Sequence, residues 1–359
     1  MNESLFSEYV KKFMPVLSKL IEKINGKRGN QQTYLHKTML RKEYSADQKW
    51  ESAAVNTTYV AADMVAMDSE LPAKSRDTVA RASGILPKVG MKKILRETHI
   101  NAINIMKAQG ATFTTIANKL ANDPIACSVG IDEKNEANFL SGLSNGVVVV
   151  EDANNEGLGL RVDFNYMEDH TFGVAVNGTV DKEAINKVIA AADAHGNTLT
   201  RIMLSKEAYN GIRQTTWAKE LVATYRGISY TSAASLPVPT ATIFDEAFAD
   251  EFNGLQFIKV DRSVITEKNG KRTSYKPWNN DRLIFLTTED VGALVWGTLA
   301  EKTNPVEGVV YTTVDDYKLI AKYSKTDPLQ EFTSGQALVL PVIENVDQIY
   351  VLDKSQVQA

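Results

Sequence analysis

The chain has 359 residues, with 40 Lys and Arg, 44 Asp and Glu, four His and one Cys, and a formal net charge of −4. A hydrophobic fraction of 43% and a charged fraction of 23% are typical of globular proteins and exclude wholesale disorder. The slightly negative charge gives no support for a chain dedicated to binding nucleic acid, and the single Cys127 excludes an internal disulfide and a structural cysteine-type zinc site.

Membrane and secretion signals are missing from the sequence pattern. The longest unbroken apolar run is the valine run at 147–150, whereas a transmembrane helix needs about 20 residues. The first residues have no basic region followed by an apolar core, as a secretory signal requires. We therefore expect a chain that stays in a cytoplasm after synthesis.

Charge is distributed unevenly along the chain. Residues 1–101 carry 17 Lys and Arg against 11 Asp and Glu, and residues 102–359 carry 23 against 33. Such asymmetry supports two hypotheses: a basic arm that contacts nucleic acid, or complementary charges that join copies of the same chain. An ordinary solvated surface is the alternative.

The first hundred residues combine a helix with strand-like segments. Apolar residues at three- and four-residue steps predict a helix over 3–24, kinked or restarted at Pro15. Strand-like stretches follow at 57–67 and 85–95, with a polar segment between them. An isolated two-stranded ribbon is marginally stable in water. We therefore expect a long projecting loop that lies on this chain or on a neighbour.

The middle of the chain begins with helices. Short helices are predicted at 99–109 and 111–122, and Asp132 is predicted to cap a third helix over 133–144. A buried, inert thiol is expected at Cys127, because its neighbours are apolar.

Strict apolar and polar alternation over 157–166 then predicts a half-buried strand. A second strand is predicted over 172–176, ending at the Asn177-Gly178 turn. We expect these two strands to pair with each other.

Helical and strand-like segments alternate from Asp181 onwards, which predicts a separate α/β lobe over 179–305. Asp181 and Ser205 are predicted N-caps of helices. Short strands are predicted at 201–204, 283–286 and 293–296, and the chain ends with strand-like runs at 317–323, 337–343 and 347–352.

The sequence contains no Walker A, HExxH or GxSxG pattern, and no two of its four histidines have the spacing of a metal pair. Residues 168–170 could coordinate a cation in principle, but their composition favours a polar turn between two strands. Residues 151–157 lack the spacing of an EF-hand loop despite many oxygen ligands. We therefore expect no catalytic residue, metal site or cofactor. A site assembled from distant residues stays open, since such sites are recognised by geometry.

Two segments resemble the major capsid proteins of tailed phages, which have the Hong Kong 97-like fold. Residues 59–93, YVAADMVAMDSELPAKSRDTVARASGILPKVGMKK, resemble the extended loop of that family. Residues 327–342, DPLQEFTSGQALVLPV, with 345–352 behind them, resemble the closing strands of its peripheral domain. The order of the predicted elements between these segments is also similar.

The resemblance implies an α+β capsid fold with an N-terminal arm, an extended β-hairpin loop, a peripheral domain with a spine helix, and an axial α/β domain. The implied bounds are 1–50 for the arm, 51–98 for the loop, 99–178 for the peripheral domain with its spine helix near 132–146, 179–305 for the axial domain, and 306–359 for the return strands of the peripheral domain.

The resemblance also implies a non-enzymatic shell protein. Its copies form hexamers and pentamers of an icosahedral head that encloses double-stranded DNA, held by weak non-specific contact. Further implied partners are a portal and separate scaffold or decoration proteins, with no membrane, and the implied location is the virion, after assembly in the host cytoplasm. Six basic residues are then expected to meet acidic groups of a neighbouring subunit: Lys74, Arg76, Arg81, Lys88, Lys92 and Lys93.

Three alternatives stay open. The same fold serves encapsulin shells, which package enzymes. Another virion component, such as a tail or decoration protein, is a second alternative. A soluble α/β enzyme with an unrecognised site is the third, because a fold does not by itself establish a function.

Overall fold

The computed structural model describes residues 2–17, 19, 34–54, 80–150, 160–176, 178–268 and 270–358. The strand predicted at 57–67 lies outside the described residues. The chain forms two compact units. The first comprises Met1–Trp50, Ser83–Asn138 and Ala293–Val342, and the second Glu51–Ala82, Phe139–Gly292 and Ile343–Ala359. The bounds of arm, loop, peripheral and axial domains stay a prediction.

Helices and strands both occur throughout the described residues. The helices are α1 (Ser7–Phe13), α2 (His36–Met39), α3 (Glu97–Ala108), α4 (Phe113–Asn145), α5 (Lys182–Ala194), α6 (Lys206–Gln214), α7 (Thr216–Tyr225), α8 (Ala241–Glu251) and α9 (Ala300–Thr303). Short 3-10 helices lie at Met14–Val16, Glu168–His170, Ala233–Ser235 and Val346–Gln348. The strands are β1 (Leu40–Tyr44), β2 (Lys49–Ala54), β3 (Ala80–Ile85), β4 (Lys88–Arg96), β5 (Val147–Val150), β6 (Leu160–Asp163), β7 (Thr171–Val174), β8 (Arg201–Ser205), β9 (Gln256–Val260), β10 (Val264–Lys268), β11 (Lys271–Tyr275), β12 (Arg282–Leu286), β13 (Gly292–Gly297), β14 (Val310–Val314), β15 (Lys318–Thr326), β16 (Leu329–Ile343) and β17 (Ile349–Val357).

The sheet of the first unit is built around the long strand β16. Its strand order is β1-β13-β16-β15-β14, and β4 also pairs with β16. The β15–β16 pair is antiparallel, with Thr326 opposite Leu329 at its turn. The β4–β16 pair is antiparallel too, from Lys88 opposite Leu338 to Arg96 opposite Gln330. The strands predicted at 317–323 and 337–343 are thus confirmed.

The first unit has an apolar core that includes the N-terminal helix. Three- and four-residue spacing places the apolar side chains of α1 on one face, which packs against α3, α4 and the sheet. Full burial of one such side chain stabilises a fold by roughly 1.5–3 kcal/mol. Residues 2–17 therefore belong to the core of this unit, through Phe6, Tyr9, Val10, Phe13, Met14 and Leu17.

One continuous helix, α4, replaces the two helices predicted at 111–122 and 133–144. It runs for 33 residues with Pro124 in its interior, so the predicted interruption is wrong. An interior proline disfavours a helix by about 3 kcal/mol, and the burial of side chains such as Ile116 and Leu140 along α4 offsets that penalty. Asp132, the predicted N-cap, lies inside the helix and forms an ion pair instead.

The second unit contains a five-stranded sheet of order β7-β17-β12-β8-β9. Strands β8 and β9 are parallel, as are β17 and β7, whereas β12 is antiparallel to both β8 and β17. The predicted N-caps are confirmed: Asp181 accepts a hydrogen bond from the Ala184 N–H at 2.8 Å, and Ser205 accepts one from the Ala208 N–H at 3.0 Å.

The pairing predicted between 157–166 and 172–176 is wrong. Strand β6 pairs with β5, and β7 pairs with β17. The 3-10 helix Glu168–His170 separates β6 from β7. Alternation of apolar and polar residues identifies a half-buried strand correctly. Which strand it pairs with depends on the elements that bury its apolar face.

Two ribbons complete the described strands. Strands β2 and β3 form one two-stranded sheet, and β10 and β11 form another. In the second ribbon, Val264 lies opposite Tyr275 and Lys268 opposite Lys271. All residues of this ribbon are exposed except Val264. Among the described helices, none has both the length and the apolarity that crossing a bilayer requires.

Candidate functional site

Strand β4 carries basic side chains on an exposed face. Its residues alternate between exposed and half-buried, so Lys88, Lys92 and Arg96 share the exposed side and Lys93 lies on the other. We call Lys88, Lys92 and Arg96 the basic strand face. The Lys92 ammonium lies 5.2 Å from the centre of the Phe332 ring.

The six basic residues predicted to contact a neighbouring subunit do not lie on one common surface of the described residues. Lys74 and Arg76 lie outside the described residues, and Arg81 lies in β3, where its side chain is not described. Lys88 and Lys92 fall on the basic strand face, and Lys93 is half-buried on the opposite side. Arg96 was missed by sequence reasoning, although counting in steps of two from Lys88 reaches it.

A buried ionic cluster joins α4 to the sheet of the first unit. It consists of Lys37, Asp132, Asp315 and Lys318. The Lys318 ammonium lies 2.6 Å from the Asp132 carboxylate and 2.6 Å from that of Asp315. Lys37 approaches Asp132 to 2.9 Å. Burial alone would raise the pKa of Asp315, but Lys318, together with Lys37 and Lys42, holds that pKa below its ordinary value.

Helix α2 is tied to α4 beside this cluster. The Glu136 carboxylate accepts hydrogen bonds from the backbone N–H groups of Leu35 and His36, each at 3.0 Å. It also lies 2.7 Å from Nδ1 of His36. These contacts to Glu136 attach α2 to α4.

A second buried pair fastens the N-terminus to β15 and β16. The Ser4 hydroxyl and the Leu5 N–H both donate to the Glu331 carboxylate. Lys322 donates to the Thr333 hydroxyl at 3.1 Å and lies 3.9 Å from Glu331. Burial raises the pKa of Glu331 and lowers the pKa of Lys322. The two hydrogen bonds to Glu331 hold residues 4 and 5 against β16.

Neither the Cys127 thiol nor a small cavity among the described residues of the second unit offers a substrate site. Cys127 is fully buried, as predicted. Burial raises its pKa to about 11, which keeps it protonated and unreactive at neutral pH. A cavity beside Leu286, Val291 and Gln348 has a volume of about 10 Å³, enough for a single water.

A third polar cluster in the second unit combines Asp169, His170 and His195. One potential ligand atom from each lies within 4.8 Å of the others. His170 is buried, and burial lowers its pKa, so that its imidazole is neutral at pH 7. The turn predicted at 168–170 is confirmed as a 3-10 helix. Sequence reasoning did not connect it with His195, because the two lie on separate elements.

No protein-family model matches the sequence, and no curated protein matches it either. Solved structures do match. A prophage capsid protein of Escherichia coli CFT073 is similar with a TM-score of 0.53 and 12% identity, over 95% of this chain and 98% of that chain. The capsid of cyanophage A-1(L) is similar with a TM-score of 0.50 and 12% identity, over 92% and 95%. The chain has the fold of phage capsid proteins.

The capsid fold confirms the α+β expectation drawn from the two resembling segments. An encapsulin of Synechococcus elongatus, SrpI, is also similar at 12% identity over 95% of this chain and 96% of that one. Its TM-score of 0.39 is too low to support an argument. In the capsid fold of this chain, the segment 327–342 corresponds mostly to the long strand β16.

Proposed function

We propose that this chain is the major capsid protein of a tailed phage, whose copies form hexamers and pentamers of an icosahedral head around double-stranded DNA. The observation that carries the proposal is the likeness to a prophage capsid protein over 95% of this chain and 98% of the other. The similarity therefore extends over both units and is not confined to one shared subdomain. The proposed role is mechanical and not enzymatic, because closed symmetry multiplies a modest contact over many copies.

The β10–β11 ribbon supports self-association. A two-stranded ribbon exposed on both sides is marginally stable in water, and this one leaves Ile265 67% and Tyr275 41% exposed. Burying apolar surface stabilises a contact by about 25 cal/mol per Å². A neighbouring copy that covers the ribbon would supply that burial.

The basic strand face supports the same proposal through charge. Residues 102–359 carry an excess of acidic over basic side chains, so a neighbouring copy offers opposite charge to Lys88, Lys92 and Arg96. Complementary charges fix the orientation of partners and exclude wrong ones. We keep Lys74, Arg76, Arg81 and Lys93 in this proposal as further contacts.

The proposed partners are other copies of the chain, a portal, and separate scaffold or decoration proteins. Packaged DNA is proposed to be held by weak non-specific contact. The proposed location is the virion, after assembly in the host cytoplasm.

Expression of the chain alone, followed by size-exclusion chromatography and negative-stain microscopy, tests the proposal. Closed shells or ring-shaped capsomers are expected. Nucleic acid inside native particles would separate a phage head from an encapsulin, which would enclose an enzyme. A chain that stays monomeric at high concentration, with crowding agents and with its neighbouring gene products, would contradict the proposal.

A further inference from the structure

Two histidines and a carboxylate converge in the second unit, where the 3-10 helix Glu168–His170 meets the end of α5. The ring of His170 stacks on Tyr350, with ring centres 4.1 Å apart. The ring centre of His195, the C-cap residue of α5, lies 4.9 Å from that of His170. We propose that Asp169, His170 and His195 bind a divalent transition-metal cation, with Zn²⁺ as the preferred ion.

The hydrogen bonds of the two rings leave nitrogen atoms available as ligands. Nδ1 of His170 lies 3.3 Å from the Ile349 carbonyl oxygen, which can only accept, so Nδ1 carries the proton and Nε2 has a free lone pair. Nδ1 of His195 lies 3.3 Å from the Tyr350 hydroxyl. In the tautomer with the proton on Nδ1, this N–H donates to the Tyr350 oxygen and Nε2 of His195 can bind the ion; a bound cation selects that tautomer. Metal-binding histidines ordinarily hold their second nitrogen in this way.

The hydroxyl of Tyr350 is itself held in place. The Asn197 amide donates to it at 3.0 Å and to the Asp347 carbonyl oxygen at 3.1 Å. Tyr350 lies in β17, inside the sheet, and its side chain is buried. The partners of both histidines therefore belong to a rigid part of the unit, as a preorganised site requires.

The local charge favours a cation. Asp169 is exposed and makes no hydrogen bond or ion pair within the described part of the chain. Its carboxylate lies beside the two imidazoles, and this negative charge attracts a divalent ion.

The separations fit a small metal site after modest closure. At bond lengths of about 2.0–2.2 Å, tetrahedral zinc ligands lie about 3.3–3.5 Å from one another. One potential ligand atom of each residue lies within 4.8 Å of the others, so binding the ion requires these atoms to move closer together. Three protein ligands leave the fourth position to water. The ion would tie the turn before β7 to the end of α5.

Metal titration of the untagged, metal-stripped chain tests the proposal. Co²⁺ is expected to produce the visible absorption bands of a four-coordinate site, saturating at one ion per chain and displaced by Zn²⁺. Replacing the half-exposed ligand, His195→Ala, is expected to weaken Zn²⁺ binding by about a hundredfold, and Asp169→Asn by about tenfold, because an amide oxygen is a poorer zinc ligand. Binding of Zn²⁺ is also expected to raise the Tm of the wild-type chain.

His99→Ala is the matched control, because His99 is exposed on α3 and far from the cluster in sequence. It is expected to bind Zn²⁺ as the wild-type chain does. Absence of saturable binding, or equal binding by the wild-type and His195→Ala chains, would overturn the proposal. Both measurements are independent of shell assembly.

Discussion

Gly90 and Gly335 allow β4, β16 and α4 to pack at close range. A Cβ atom at Gly90 would lie 2.8 Å from the Gly335 carbonyl oxygen, and a Cβ at Gly335 would lie 2.8 Å from the Cβ of Cys127. These neighbours are backbone or core atoms that have little freedom to move aside. Both positions therefore need glycine for its small size.

Gly90→Ala and Gly335→Ala are each expected to lower the free energy of unfolding by about 1–3 kcal/mol, because overpacking displaces backbone. Gly211→Ala is the control: it lies in α6 with no atom within 4 Å of its new Cβ. There, alanine is expected to stabilise the helix by up to about 1 kcal/mol. Urea unfolding measures all three, and an equal loss in all three variants would contradict this explanation.

At the scale of single residues, the sequence predicts local interactions well. Asp181 and Ser205 are recognisable as caps because each bonds a backbone N–H only three residues away. The approach of His195 to His170 is not predictable in this way, since the two histidines lie on separate elements and share a contact with Tyr350 of the distant strand β17.

At the scale of elements, α4 is held by the buried ionic cluster. Lys318→Met is expected to lower the free energy of unfolding by about 3–5 kcal/mol, because it leaves Asp132 buried with its closest counter-charge removed. Lys42→Met is the matched control, since Lys42 pairs with Asp316 at an exposed site. There, a change of about 0–1 kcal/mol is expected. Thermal unfolding of both variants measures the loss of stability. Similar losses in the two variants would contradict a special role for the buried ionic cluster.

The same cluster predicts a dependence of stability on pH. The pKa of Asp315 lies below its ordinary value of 3.8 in the folded chain. The ionised form of Asp315 therefore stabilises the fold at pH values above 3.8. This contribution is lost as the pH falls through the lower pKa of the folded chain. Asp315→Asn is expected to be less stable than the wild-type chain at pH 7, with the gap narrowing in acid. A gap that stays constant or widens in acid would contradict the assignment.

Sequence patterns predict the presence of helices and strands more reliably than they predict which strands pair. The runs at 157–166 and 172–176 both indicated strands, yet β6 pairs with β5 and β7 with β17. Likewise, the apolar periodicity of α4 is visible on both sides of Pro124, but its continuity depends on burial that the local sequence does not encode. Long-range packing decides both outcomes.

At the scale of the whole molecule, two resembling segments sufficed to predict the capsid fold, whereas the contact surfaces between copies could not be read from them. We propose the basic strand face, with its exposed Lys88, Lys92 and Arg96, as one such surface. Lys88→Glu combined with Lys92→Glu is expected to reduce the yield of shells by about tenfold or more, because like charges across a contact are costly. High salt is expected to restore part of the yield by screening.

Lys119→Glu combined with Lys187→Glu is the control for this prediction, since both lysines are exposed on helices. Yield is measured by size-exclusion chromatography and negative-stain microscopy, and the Tm of each variant shows whether it folds. Unchanged yield with the β4 double variant, or an equal loss with the control, would contradict a contact through the basic strand face.

The last strands of the chain have a consequence for biosynthesis. Strand β16 lies inside the sheet of the first unit, and β17 lies between β7 and β12 in the second. Translation proceeds from the N-terminus at about 5–20 residues per second. Neither sheet can be completed before residues 329–357 have been synthesised. A contact between copies that requires a complete sheet therefore cannot form before the ribosome has passed β17.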